Sequence, residues 1–182
     1  MTTTVIENPV NAAELPELIR ERINRYLDDA IALEAAGVTG LKDMVEEATQ
    51  PEDAALFQEH LNQTESQKRR LEVRLAELGG TSNKLKDVMN KIGMAATDLL
   101  HVGKDSEDKA TRNLIQAYAV ENTEIATYES LYAAANAVGD TKTAMLAKEI
   151  QAEEEAAAKK IFARIAPLAA VAIRVGVAEG RH

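Results

Sequence analysis

The sequence predicts an all-α protein, an antiparallel four-helix bundle, and three observations carry that prediction. Glycine (9) and proline (4) are scarce among 182 residues, aromatics make only 3%, and Ala, Glu, Leu and Lys abound, a composition that favours helices over sheets. Apolar residues recur at spacings of three and four over four long stretches. The punctuation between those stretches is helix-ending or helix-starting chemistry: Gln50-Pro51, Gly79-Gly80 and Gly139-Asp140.

The first helix is expected over about 15–36, opened by Leu15-Pro16, with proline tolerated in the first turn. Its stripe runs Ile23, Leu27, Ala30, Glu34, Val38 and Leu41. Gly37 and Gly40 predict a kink or break, followed by a short helical piece to Ala48. A second helix follows over 51–78, with Pro51 in its first turn and Glu52 and Asp53 at the positive end of the dipole. Gly79-Gly80 closes it in a left-handed cap. A crossover helix is expected over 83–102. The third long helix spans 106–138, with Ser106 as its cap, and the fourth runs from 140 to at least 165. Two hairpins joined by a long crossover make such a bundle. The domain reading is a polar arm at 1–13, the helical bundle at 14–166, and an apolar, basic C-terminal extension at 167–182.

Composition also excludes functions. With no cysteine there is no disulfide, no thiolate metal site and no cysteine nucleophile. A net charge of -9 argues against a nucleic-acid partner. The start, MTTTVIENPVNAAELPELI, lacks the basic and apolar regions of a secretory signal. The most apolar stretch, Ile165 to Ala178, is short for a membrane span and carries Arg174. The expected compartment is the cytoplasm, and membrane contact is not expected. From Lys159 onward five basic side chains face one acidic one, so the tail is +4 and the remainder -13. That apolar, basic tail is expected to dock on another subunit, and the piece at 38–48, with Leu41, Met44 and Val45, to help form a symmetric dimer.

Chemistry enters where the apolar stripes carry polar side chains. Glu34 interrupts the first stripe, and His60, Gln63 and Gln67 the second. Glu121 interrupts the third, with Glu124 one turn on, and Glu154 the fourth, beside Glu153. Buried carboxylates are costly unless paired, hydrogen-bonded or bound to a cation. Glu34, His60, Glu121 and Glu154 on four inward faces would converge on one polar centre, the form of a ferritin-like di-metal site. The sequence lacks any Glu-x-x-His, so such a site is oxygen-rich with one imidazole. The competing readings are solvated carboxylates, above all Glu124 and Glu153, and a metal-free hydrogen-bonded layer around His60, Gln63 and Gln67. Tyr118, Tyr128 and Tyr132 read as core packing with one phenol hydrogen bond each. Gln67-Lys68-Arg69-Arg70 reads as a solvated face paired with Glu65 and Glu72.

The segment FQEHLNQTESQKRRLEVRLAELGG (Phe57 to Gly80) resembles the YciE/YciF family of bacterial ferritin-like, stress-linked proteins. LKDMVEEATQPE (Leu41 to Glu52), AYAVENTEIATYESLYAAANAVGD (Ala117 to Asp140) and IQAEEEAAAKKI (Ile150 to Ile161) match in the same order. The resemblance covers about residues 17–166. It implies a ferritin-like bundle with an extra crossover helix, and a homodimer. It places the family's site residues on Glu34, His60, Glu121, Glu124, Glu153 and Glu154. The sequence departs from the family at Ile31, Lys42, Gln67 and Asn122. The functional expectation is a stress-associated protein holding one or two iron or manganese ions at Glu34, His60, Glu121, Glu124 and Glu154. Its alternative is a metal-free helical interaction protein. Any catalysis would be iron oxidation or peroxide consumption at the carboxylates.

Overall fold

The computed structural model describes residues 16–82 and 106–178, and among them every regular element is helical. The helices are α1 (Glu17–Glu47), α2 (Pro51–Glu77), α3 (Ser106–Ala137) and α4 (Thr141–Ala178). The crossover helix expected over 83–102, the arm at 1–13 and the last four residues of the tail lie outside the described residues.

Local chemistry explains the ends. Pro51 sits in the first turn of α2, where its missing N–H costs nothing. Gly79 and Gly139 take φ of 73° and 76°, a conformation that side-chain-bearing residues avoid, and each turns the chain out of a helix. Asp140 starts α4 by accepting the backbone N–H of Thr143 at 3.1 Å.

α1 packs against α2 and α3, and α4 against α3 and α2. Cross-helix pairs give the directions. Glu77 with Lys142, Arg70 with Glu153, Glu59 with Lys160 and Asp53 with Arg164 run in opposite order along α2 and α4. Glu34 with Tyr128 and Glu47 with Lys109 do the same for α1 and α3. All neighbouring helices are therefore antiparallel, and α2 ends at the opposite end of the bundle from the start of α3. This is the four-helix architecture that the stripes predict.

Two apolar layers fill the interior. One joins Ile23, Leu27 and Ile31 to Leu71, Leu75, Leu131 and Ile150. The other joins Leu41, Phe57 and Leu61 to Leu114, Ile161 and Leu168. Each fully buried Leu or Ile contributes about 1.5–3 kcal/mol. The polar residues of the four stripes lie between these layers.

Three local expectations change. α1 is one helix of 31 residues, with no break at Gly37 or Gly40. The roughly 1 kcal/mol that each glycine costs in a helix is small beside the packing on either side. A side chain at Gly37 would begin 3.4 Å from Thr64 and 3.6 Å from the Glu124 carboxylate, ordinary contact distances, so the packing of α1 on α2 and α3 does not require glycine there. Leu41 is buried, and Met44 and Val45 pack on the chain's own second layer rather than standing free. Finally, α4 runs through Pro167 to Ala178, held past the proline by buried Leu168 and Ala172. Because it does not stop there, α4 is long and apolar enough to cross a membrane by length and composition. Its most apolar 18-residue window has a mean hydropathy of 1.8 and is 11% buried. The expectation of too short a stretch is thus corrected.

At one end of the bundle Arg74, nearly wholly buried, donates to Asp140 at 2.7 Å, to Thr143 at 2.7 Å and to Glu77 at 2.9 Å. Removing one partner of a buried pair strands the other charge. Arg74→Ala should therefore destabilise the fold by about 3–5 kcal/mol, read as a shift in the urea midpoint with unchanged slope. A loss below about 1 kcal/mol, the value of an exposed pair, would show that the network is not needed for stability.

Candidate metal centre

Between the two apolar layers the four helices bring five ionisable side chains together. Glu34 comes from α1, His60 from α2, Glu121 and Glu124 from α3 and Glu154 from α4. None is more than 4% exposed. Glu121 and Glu124 both turn inward because three residues are nearly one helical turn.

The His60 Nε2 atom lies 2.7 Å from Glu121 Oε1 and 4.0 Å from Glu154 Oε2. One ligand atom from each of His60, Glu121 and Glu154 falls within 4.8 Å of the others. Thr64, one turn along α2, donates to the His60 carbonyl at 3.0 Å. Tyr128 donates its phenol to Glu34, so the sequence reading of this tyrosine as core with a single hydrogen bond holds. The remaining donors have no protein partner: Glu34 Oε2, His60 Nδ1, Glu121 Oε2, Glu124 Oε1 and both Glu154 oxygens. Buried polar atoms are seldom left so.

The electrostatics follow from burial. Desolvation raises Glu121 to about 7. Glu154 is raised to about 9, by desolvation first and then by the neighbouring Glu121. Glu34 and Glu124 are pushed well above the ordinary carboxylate range, again by burial and then by neighbouring carboxylates: Glu154 acts most on Glu34, and Glu34 on Glu124. Burial lowers His60 against the opposing pull of Glu154. A cation removes both the desolvation cost and the repulsion, and its oxygen-rich donor set with one imidazole is of the kind that suits manganese or iron. The residues fit a metal.

The structure sorts the sequence candidates. Glu34, His60, Glu121, Glu124 and Glu154 all reach the centre, including Glu124, for which a solvated face was the competing reading. Glu153 does not: it points to the α2–α4 seam, where it accepts from Arg70 and from Gln67. Gln67 is wholly buried and serves this seam. Asn122 is exposed and donates to the Tyr118 carbonyl, and Lys42 is exposed near Glu65, so these two departures from the family pattern lie away from the centre. Lys68 pairs with Glu72 as expected for a solvated face, whereas Arg70 crosses to α4. Sequence reasoning missed the Arg70–Glu153 and Arg74–Asp140 pairs, which join residues 83 and 66 positions apart and leave no local signal.

Fold and centre together define a class: a helical bundle with a carboxylate-rich, single-histidine core. The chain belongs to the family described as a domain of unknown function, DUF892, which matches residues 19–171. Solved structures share the fold. The Escherichia coli stress protein YciF is 24% identical, with a TM-score of 0.72 over 85% of this chain and 98% of that one. A Xanthomonas campestris pv. campestris protein is 23% identical, with a TM-score of 0.70 over 90% and 99%. YcfI from Rhodopseudomonas palustris is 24% identical, with a TM-score of 0.66 over 79% and 92%. The family match and the shared fold agree with the resemblance to YciE/YciF-type proteins.

The raised carboxylates carry a pH prediction for metal-free protein. Unfolded, these groups titrate near 4.5. Between that value and about 7 for Glu121 or about 9 for Glu154, the fold keeps protons that the unfolded chain has released. Their stabilising contribution is full below about 4.5 and is lost as pH rises through the folded values, by up to about 1.4 kcal/mol per pH unit for each group. His60 acts oppositely, losing stability on acidification below about 6.5. Thermal melts in EDTA should show Tm falling from pH 7 to 9, and Glu154→Gln should flatten that slope. A Tm independent of pH across this range would contradict the protonated centre.

Proposed function

We propose that this chain is a cytoplasmic ferritin-like stress-protection protein that holds one or two iron or manganese ions between Glu34, His60, Glu121, Glu124 and Glu154. One observation carries the reading: four carboxylates and an imidazole lie buried between apolar layers with six side-chain donor atoms lacking a protein partner. His60, Glu121 and Glu154 are the residues best placed to hold a first ion. Glu34 and Glu124 would hold a second or bridge it. A bound ion would supply Lewis acidity, and redox capacity if it is iron. The chain's own residues orient the donors through Tyr128 and Thr64, exclude water by the flanking layers, and release protons from Glu121 and Glu154 on loading. The stress role rests on the likeness to the Escherichia coli stress protein and on the family resemblance.

The hydrogen bonds of His60 to Glu121 and of Tyr128 to Glu34 favour a second reading, a metal-free polar layer that fixes helix register. Elemental analysis of protein purified without chelator separates the two. The metal reading expects about one or two ions per chain, a rise in Tm with added manganese, and a reduction of both in Glu34→Ala. Fewer than about 0.2 ions per chain and an unchanged Tm would leave the polar layer, in which Glu34→Gln costs little.

The proposal includes a homo-oligomer. Its support is the outer face of α4, where Phe162, Ile173 and Val177 are mostly exposed and the stretch from Ile165 to Ala178 is apolar but for Arg174. Deleting residues 166–182 should lower the mass measured by light scattering or cause aggregation. Unchanged mass and Tm would make the end of α4 a passive extension.

A further inference from the structure

The α2–α4 seam differs from the rest of the bundle surface. It is bridged along its length by ion pairs, from Glu77–Lys142 through Arg70–Glu153 and Glu59–Lys160 to Asp53–Arg164. On its outer side lies a groove of about 550 Å³, within the size range of small-molecule sites. Its two banks present Val73 and Met145, which are 60% and 59% exposed, with Leu146 beside them. Four cationic side chains, Arg69, Arg70, Arg74 and Lys142, line it against two carboxylates, Glu77 and Glu149. That inverts the balance of the whole chain, which has 30 acidic and 21 basic residues.

The cations are not equally engaged. Arg74 is held by Asp140, and Lys142 by Glu77. Arg70 reaches inward to Glu153 and is 4.0 Å from Glu149, while its own Nε is buried without a partner. Arg69 is exposed and makes no ion pair among the described residues. An open apolar trough with one free guanidinium and a second that is part-satisfied suits a ligand with two parts. A carboxylate would meet Arg69 and Arg70, and a hydrocarbon portion would cover Val73, Met145 and Leu146. A cation is disfavoured here, so this groove is not the continuation of the carboxylate centre.

From this juxtaposition we infer that the α2–α4 groove binds a small amphipathic organic anion, a carboxylate with an aliphatic chain. The site shares no residue with the candidate metal centre and stands whether or not that centre holds metal. Arg70 lines the groove and pairs with Glu153, so an anion drawn to Arg70 competes with Glu153 for the guanidinium.

Isothermal titration calorimetry of the full chain with decanoate tests the site, with 1-decanol as the uncharged probe of the same length. The expected result is saturable binding of one decanoate per chain. Arg69→Glu and Met145→Glu, both at exposed positions and checked for folding by circular dichroism, should each weaken it at least about tenfold. Decanol should bind at least about tenfold more weakly than decanoate, and Ile173→Ser, on the apolar end of α4, should bind decanoate as the wild type does. The inference is overturned if decanoate does not saturate below about 1 mM, if the two groove variants bind like wild type, or if Ile173→Ser is the change that removes binding. Equal affinity for decanol and decanoate would overturn the assignment of an anion.

Discussion

The burial of four carboxylates beside one another is the constraint on which this molecule depends. Taking an ionised group out of water costs several kcal/mol even after relaxation, and Glu34, Glu124 and Glu154 are raised further by neighbouring carboxylates. Protonation or a cation must relieve that cost, and both relieve it by lowering negative charge at the same place. The two apolar layers on either side keep water from doing so. The centre is therefore a place of stored electrostatic cost inside an otherwise ordinary helical core, and such places are where function concentrates.

The seam between α2 and α4 is the polar counterpart to that centre. α1–α2 and α3–α4 are hairpins, closed by short turns at 48–50 and 138–140. α2 and α4 have no such connection. They meet through charged pairs whose register also sets which residues of α4 face inward. With Arg70 on Glu153, the adjacent Glu154 is directed to His60 and Glu121. Two neighbouring glutamates thus do different work: one holds the seam, the other belongs to the centre.

Much of this was legible in the chain. The stripes of α1, α2 and α4 name the inward faces correctly, and Glu34, His60 and Glu154 interrupt those stripes because they lie on them. The third stripe, read as Leu114, Tyr118, Glu121, Ile125, Tyr128 and Tyr132, was less readable. Ala117, Glu124 and Leu131 are buried, whereas Tyr118, Ile125 and Tyr132 are only partly so, since an alanine-rich helix offers many small residues that fit either face. Glycine and proline misled in α1 and α4 because local propensities of about 1–3 kcal/mol are weighed against packing that the sequence does not display.

The sequence by itself determined the helical class, the four main segments, their turns at Gly79 and Gly139, and the residue types of the centre. These depend on local backbone preference and on periodicity, which neighbouring residues express directly. Tertiary structure alone decided that Glu124 turns in and Glu153 out, that α1 runs unbroken past Gly37, and that α4 continues past Pro167. It also decided which arginines cross to α4. Those outcomes depend on groups brought together from distant parts of the chain, such as Arg70 with Glu153 and Arg74 with Asp140, whose interaction energies exist only once the helices have packed.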